Sequence, residues 1–211
     1  PDPAVAPEPP ASARTEKAAA ALAANDYKTA LALLEASPVG TASEDVGNTG
    51  LYAQALVGRA GEIMTTAPAE AEALLVKATE VAPVMVEPHL MLGRRYIRTK
   101  NYPKAIDAYQ RAIDLDPTAS DAFFNLGFIY ATTGKFEEAE KAYEKVVALK
   151  PAYIAKALFN LAVIQQKLGK REQSITNLKE VVALNPENEK ALAYLNRLRQ
   201  SSPSPETEQI K

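Results

Sequence analysis

The chain contains no cysteine. That excludes disulfides, thiolate metal sites and cysteine nucleophiles together, and is compatible with either cytoplasm or periplasm. Tryptophan is absent as well, and only five phenylalanines and nine glycines occur in 211 residues, so alanine and leucine must carry much of the apolar volume. No run approaches the roughly eighteen apolar residues that a bilayer-spanning helix requires, so no transmembrane segment is expected. Nor is there an excess of either charge: 24 basic and 26 acidic residues leave a formal −2. Nucleic acid is therefore not suggested as a partner. The sequence has no GxSxG, no phosphate-cradling glycine loop and no HExxH. No catalytic or metal-binding residue is assigned on this basis, and no cofactor is expected. What remains is 47% hydrophobic, ordinary for a globular chain.

Proline is not scarce, and its placement organises the chain. The opening PDPAVAPEPPASAR holds five prolines and no helical periodicity. Residues 1–14 read as a disordered Pro/Ala-rich linker, semi-rigid and extended. The closing SSPSPETEQIK, 201–211, reads as a disordered tail. A chain that begins at Pro1 is read as a processed or trimmed form from which any signal peptide has gone.

Between these ends the sequence is periodic. Pro83, Pro117, Pro151 and Pro186 follow one another at steps of 34, 34 and 35 residues. Gly93 and Gly127, Tyr96 and Tyr130, Ala105 and Ala139, and Tyr109 and Tyr143 all keep the 34-residue step. A fixed period of this length marks a stacked repeat architecture. Each unit reads as two amphipathic helices: SDAFFNLGFIYATT, then a short break at GKFE, then EAEKAYEKVVAL. The recurring proline closes each pair because it cannot continue a helix. No segment alternates with period two for long enough to form a strand, so the fold class is all-α.

These units resemble tetratricopeptide repeats. Phe123, Leu126-Gly127, Tyr130, Gly134, Phe136, Ala139, Tyr143 and Pro151 match nearly the whole family pattern. The unit before matches through Leu92-Gly93, Tyr96, Tyr102, Ala105, Tyr109, Ala112 and Pro117, with His89 at the first aromatic place. The unit after is looser: Leu158, Leu161-Ala162, Gly169, Ser174, Leu178, Val181 and Pro186 match, while Gln165 replaces the tyrosine. The expected divisions are a degenerate first repeat with its loop at 15–50, repeats at 51–83, 84–117, 118–151 and 152–186, and a capping helix at 187–200. The resemblance implies a right-handed superhelical solenoid of antiparallel helix pairs. Glycine or alanine at 93, 127 and 162 would let paired helices approach closely, with large side chains filling the space between pairs.

The resemblance also implies a concave groove, lined by the first helix of each pair, that accepts a peptide. The matching positions begin with Tyr52, Leu56 and Arg59 and continue through Leu90, Met91, Arg94 and Arg98. Phe124, Asn125 and Phe128 follow, and Lys156, Phe159, Asn160 and Val163 complete the series. Three of the five phenylalanines fall there, and a contiguous apolar patch of that kind marks an interaction site unless a terminus or neighbouring repeat covers it. Asn125 and Asn160 could hydrogen-bond the backbone of an extended ligand. Arg59, Arg94 and Arg98 form a stripe suited to carboxylates, or a solvated charged face. Some family members clamp a terminal carboxylate. Lys156 and Asn125 occupy two of the clamp's places, but Leu90 and Asn160 stand where basic residues are needed, which argues against a chaperone-tail role. His89 is read as a partly buried filler.

The function expected is a non-catalytic scaffold binding a partner peptide or protein in the groove, assisting assembly of a cell-envelope complex. Its location would be periplasmic or tethered to the envelope through the N-terminal linker, with cytoplasm the alternative. The competing reading is a self-associating structural protein that uses the same aromatic surface as a homo-oligomer interface.

Overall fold

The computed structural model describes residues 11–35 and 45–200. The linker reading for 1–10, the loop reading for 37–44 and the tail reading for 201–211 lie outside the described residues. Among the described residues there are eleven α-helices and no strand. The chain divides into two compact units after Leu115. The first holds α1 (Ala11–Ala23), α2 (Tyr27–Glu35), α3 (Asp45–Ile63), α4 (Pro68–Val81), α5 (Val86–Arg98) and α6 (Tyr102–Leu115). The second holds α7 (Ser120–Thr132), α8 (Phe136–Leu149), α9 (Ile154–Lys167), α10 (Arg171–Leu184) and α11 (Glu189–Gln200). Within each unit, consecutive helices pack as pairs, and the second helix of one pair packs on the first helix of the next.

One turn design recurs inside the pairs. Lys100, Gly134 and Gly169 each adopt a left-handed backbone, at φ 57°, 77° and 74°. In each case the next amide reaches back five residues, Asn101 to the Tyr96 carbonyl, Lys135 to Tyr130 and Lys170 to Gln165, at 2.8–2.9 Å. This is the Schellman arrangement, which satisfies carbonyls that a helix end leaves without partners. At Gly134 and Gly169 an added Cβ would meet nothing within 4 Å, so glycine serves the backbone angle there rather than a close contact. Between pairs, each repeat proline stands two residues beyond the last helical residue: Pro83 after Val81, Pro117 after Leu115, Pro151 after Leu149 and Pro186 after Leu184.

Close approach explains the glycines of the Leu-Gly pairs at 93 and 127. A Cβ on Gly93 would lie 2.6 Å from the Tyr109 ring, and one on Gly127 would lie 2.8 Å from the Tyr143 ring. Both tyrosines are essentially buried, so neither ring can swing out of the way without opening the core. In the next pair Ala162 takes the glycine's place and Leu178 the tyrosine's, both fully buried in one cluster. A methyl gained on the first helix is matched by a smaller side chain on the second. The same device joins α2 to α3, where Gly58 faces the Tyr27 ring.

Two helix starts differ from the sequence reading. α1 begins at Ala11, inside the expected linker, because Pro10 is the last proline and ASARTEKAAAALA is rich in strong helix formers. α3 begins at Asp45 rather than at the expected repeat boundary of 51. Its added turn is tied to α1 by the Thr15 hydroxyl, 2.8 Å from Asn48 Oδ1.

Gly127→Ala should destabilise the fold by about 1–3 kcal/mol through overpacking against Tyr143. Combining it with Tyr143→Leu, which reproduces the Ala162/Leu178 pairing, should cost less than the two single changes added together. Urea unfolding of the four variants measures the coupling, and strict additivity would refute the volume match.

Candidate functional site

In the second unit, side chains from the first helix of each pair and from α11 converge on one face. Three adjoining clefts run across it. One of about 630 Å³ is lined by Phe124, Tyr153, Lys156, Phe159, Asn160 and Lys190, among others. A second, about 910 Å³, shares Phe159 and Lys190 and adds Val163, Lys167, Tyr194 and Arg197. The third, about 260 Å³, lies between Phe128, Tyr143, Asn160 and Val163. Of the positions singled out from sequence, Phe124, Phe128, Lys156, Phe159, Asn160 and Val163 are brought together here. Asn125 lines none of these three clefts.

The two phenylalanines of α7 differ in surroundings. Phe124 packs edge-on against Tyr143 and Tyr153, each with ring centroids 5.6 Å away, and is half-buried. Tyr153 stands in the connection ahead of α9, and its hydroxyl donates to Asp121 Oδ1 at 2.6 Å and lies 2.8 Å from Ser120 Oγ. The extra residue of the 35-residue interval is absorbed at this helix start, α9 being 14 residues long and α7 13. Phe128 remains 43% exposed. Phe159 lies beside Tyr194 of α11, with centroids 6.2 Å apart.

The asparagines are partly committed. Asn125 Nδ2 donates to the Asp121 carbonyl of its own helix at 2.8 Å, which limits its use toward a ligand. Asn160 Nδ2 donates to the Tyr143 hydroxyl at 3.3 Å, which holds the amide in the wall of the clefts. Burial pushes the Tyr143 phenol up to about 12 against the opposing effect of the Asn160 amide. Tyr153 also rises to about 12, chiefly by burial and then through the Asp121 carboxylate. Behind the face, Gln165 is buried where the two preceding repeats carry tyrosine, and its amide is paired at both nitrogen and oxygen. It donates to Glu140 at 3.4 Å and accepts from Asn177 at 2.7 Å, while Lys170 Nζ meets Glu140 at 2.5 Å.

The first unit departs from the sequence expectation. Leu56 is fully buried with Ala53, Ala60 and Ile63, which share its helix face, so it lines no groove. Met91 packs into the cluster around Ala60 and Leu75, close enough that a Cβ on Gly61 would lie 3.7 Å from its methyl. Leu90 is half-buried on α5. Arg59 pairs with Glu62 at 3.0 Å and Arg94 with Glu87 at 2.8 Å, both exposed pairs on single helices. Arg98 is exposed without an ion pair among the described residues. The stripe is thus largely self-neutralised. Tyr52 donates its hydroxyl to Glu35 at 2.8 Å, with Lys77 Nζ 5.0 Å above its ring. His89 is half-buried, and burial, with Arg111 nearby, lowers its pKa below the ordinary value.

Tyr153, Lys190, Tyr194 and Arg197 were not among the groove positions expected from sequence. The signal for three of them lay in the period. One further 34-residue step carries Lys156 to Lys190, Asn160 to Tyr194 and Val163 to Arg197. The buried residues Ala157, Leu161 and Ile164 map onto buried Ala191, Leu195 and Leu198 by the same step. The capping helix therefore behaves as the first helix of another pair.

Such paired helices with a lined face define a helical-repeat interaction fold. A TPR repeat family profile matches residues 93–134, and tetratricopeptide repeat profiles match 120–153 and 155–188. The chain is a tetratricopeptide-repeat protein. Solved structures of similar fold include MamA 41-end from Desulfovibrio magneticus RS-1, with a TM-score of 0.63 and 21% identity over 70% of this chain and 84% of that one. YrrB, described as a TPR protein with an unusual peptide-binding site, gives 0.63 and 22% over 87% and 90%. The first TPR of Spaghetti (RPAP3), bound to the HSP90 peptide SRMEEVD, gives 0.51 and 28% over 55% and 90%. No curated protein matches the chain.

A phenol whose pKa is raised from 10 to about 12 favours the folded state while protonated. That contribution is complete below pH 10 and is lost as pH rises towards about 12. The urea midpoint should therefore fall over this range, and less steeply in Tyr153→Phe. An identical slope in both proteins would contradict the assignment.

Proposed function

We propose that this protein is a non-catalytic interaction scaffold that takes a peptide or protein segment on the face built by α7, α9 and α11. The observation that carries this reading is the convergence of Phe128, Phe159, Val163 and Tyr194 on contiguous open clefts, with Phe128 left 43% exposed. Leaving a phenylalanine in water forgoes roughly 1.5–3 kcal/mol relative to burying it. A contiguous apolar surface with a few polar groups beside it fits a ligand site. The peptide-binding site described for YrrB and the peptide held by the Spaghetti repeat support the same reading by analogy of fold.

Phe128 is the position to test, because Phe124 also supports the Tyr143 and Tyr153 rings. Phe128→Glu should leave the melting temperature nearly unchanged and reduce recovery of the partner by about tenfold or more. Partner recovery equal to wild type, with the fold intact, would sink the reading.

The proposal extends to assembly of a cell-envelope complex from a periplasmic or envelope-tethered position. Its support is compositional: a proline-rich stretch precedes the first helix and suits a spacer. Fractionation of the native protein should recover it with periplasmic or envelope markers, and recovery with cytoplasmic markers alone would reject the location.

A further inference from the structure

The three clefts of the second unit have a one-sided charge. Lys156, Lys167, Lys190 and Arg197 line them, and among the described residues no aspartate or glutamate does. Among the described residues none of these four takes part in an ion pair, in contrast to Arg59 and Arg94 of the first unit. Of the acidic residues of the second unit, Glu137, Glu138, Glu140 and Glu144 lie on α8 and Glu172 and Glu180 on α10, while Glu187 and Glu189 flank Asn188 at the start of α11 without lining a cleft. Asp121, at the edge of the face, already accepts from Tyr153. A chain of formal charge −2 thus gathers these four cations around the aromatic clefts of its second unit.

The geometry points to an acidic peptide segment as the occupant: carboxylates on either side of an aromatic or large aliphatic side chain. The inference rests on reading the face as a peptide site and specifies what that site prefers. Lys156 and Lys167 are eleven residues apart on α9, roughly 16 Å along the axis. That span corresponds to about five residues of extended chain. Phe159 and Val163 stand between the two lysines, so the apolar anchor would be seated centrally and the carboxylates towards the ends. Arg197 is held with its guanidinium carbon 4.6 Å from the centroid of the Tyr194 ring. Stacking leaves the edge of the guanidinium free for a bidentate carboxylate contact. At these four exposed cations an acidic ligand meets complementary charge and a basic one meets like charge.

Selection of a phage-displayed random dodecapeptide library on the full chain tests this. The enriched peptides should carry at least two Asp or Glu within about five residues of an aromatic or large aliphatic residue. A synthetic copy of one enriched peptide should lose about tenfold or more in affinity to Lys156→Glu/Lys190→Glu, and a similar amount when its carboxylates are changed to amides. Binding should weaken with added salt. Both lysines are exposed, and a melting curve checks that the double variant folds. If neutral or basic peptides are enriched, and Phe128→Glu abolishes their binding, the acidic preference is wrong and the peptide site stands. If nothing is enriched, or enrichment is indifferent to Phe128→Glu, both fail. A concentration-dependent rise in mass that Phe128→Glu removes would make a second copy of the chain the occupant and overturn the inference.

Discussion

The Tyr143 ring can lie against α7 only because residue 127 has no side chain. Much of the second unit hangs on that contact. With its ring fixed there, Tyr143 presents an edge to Phe124, takes a hydrogen bond from Asn160 and forms one wall of the cleft beside Phe128. The residue that sets the spacing of the helix pair also positions the surface that the pair exposes. Fold and site are coupled through one side chain, so a change in the glycine would be felt at the clefts as well as in the core.

The repeat tolerates departures when they are matched. Ala162 with Leu178 replaces glycine with tyrosine at nearly constant volume, which is the kind of swap that cores accept. Gln165 is a harder case, because a buried amide without partners would cost far more than the lost tyrosine packing. Glu140 and Asn177 supply those partners, and Lys170 in turn pairs with Glu140. Lys100 adopts the left-handed turn that Gly134 and Gly169 occupy without strain, so this departure is left uncompensated.

Helix pairs, their turns and the small-against-large contacts were legible in the sequence, because each follows from a residue type recurring at a fixed step. The tetratricopeptide identity came from the same residues. The details of the site were less legible. The resemblance placed Leu56 and Met91 in the groove, yet Leu56 is fully buried and Met91 packs into the cluster around Ala60 and Leu75. It could not show that Arg59 and Arg94 would find glutamates on their own helices, a matter of rotamer and local spacing. Phe124 belongs to the same implied groove series. Its cover comes from Tyr153, set by an inserted residue that the period itself treats as an irregularity. The contribution of α11 was readable and missed, since a capping helix invites attention to its charged exterior.

The most direct test of the account is site-specific photo-crosslinking with a benzophenone side chain at single positions. Placed at Phe128 or Val163, on the α7/α9 face, it should capture the same partner in each case. Placed at Glu138 or Lys179, on the second helices, it should not. Capture from α8 and α10 with none from 128 and 163 would contradict the assignment of the binding face.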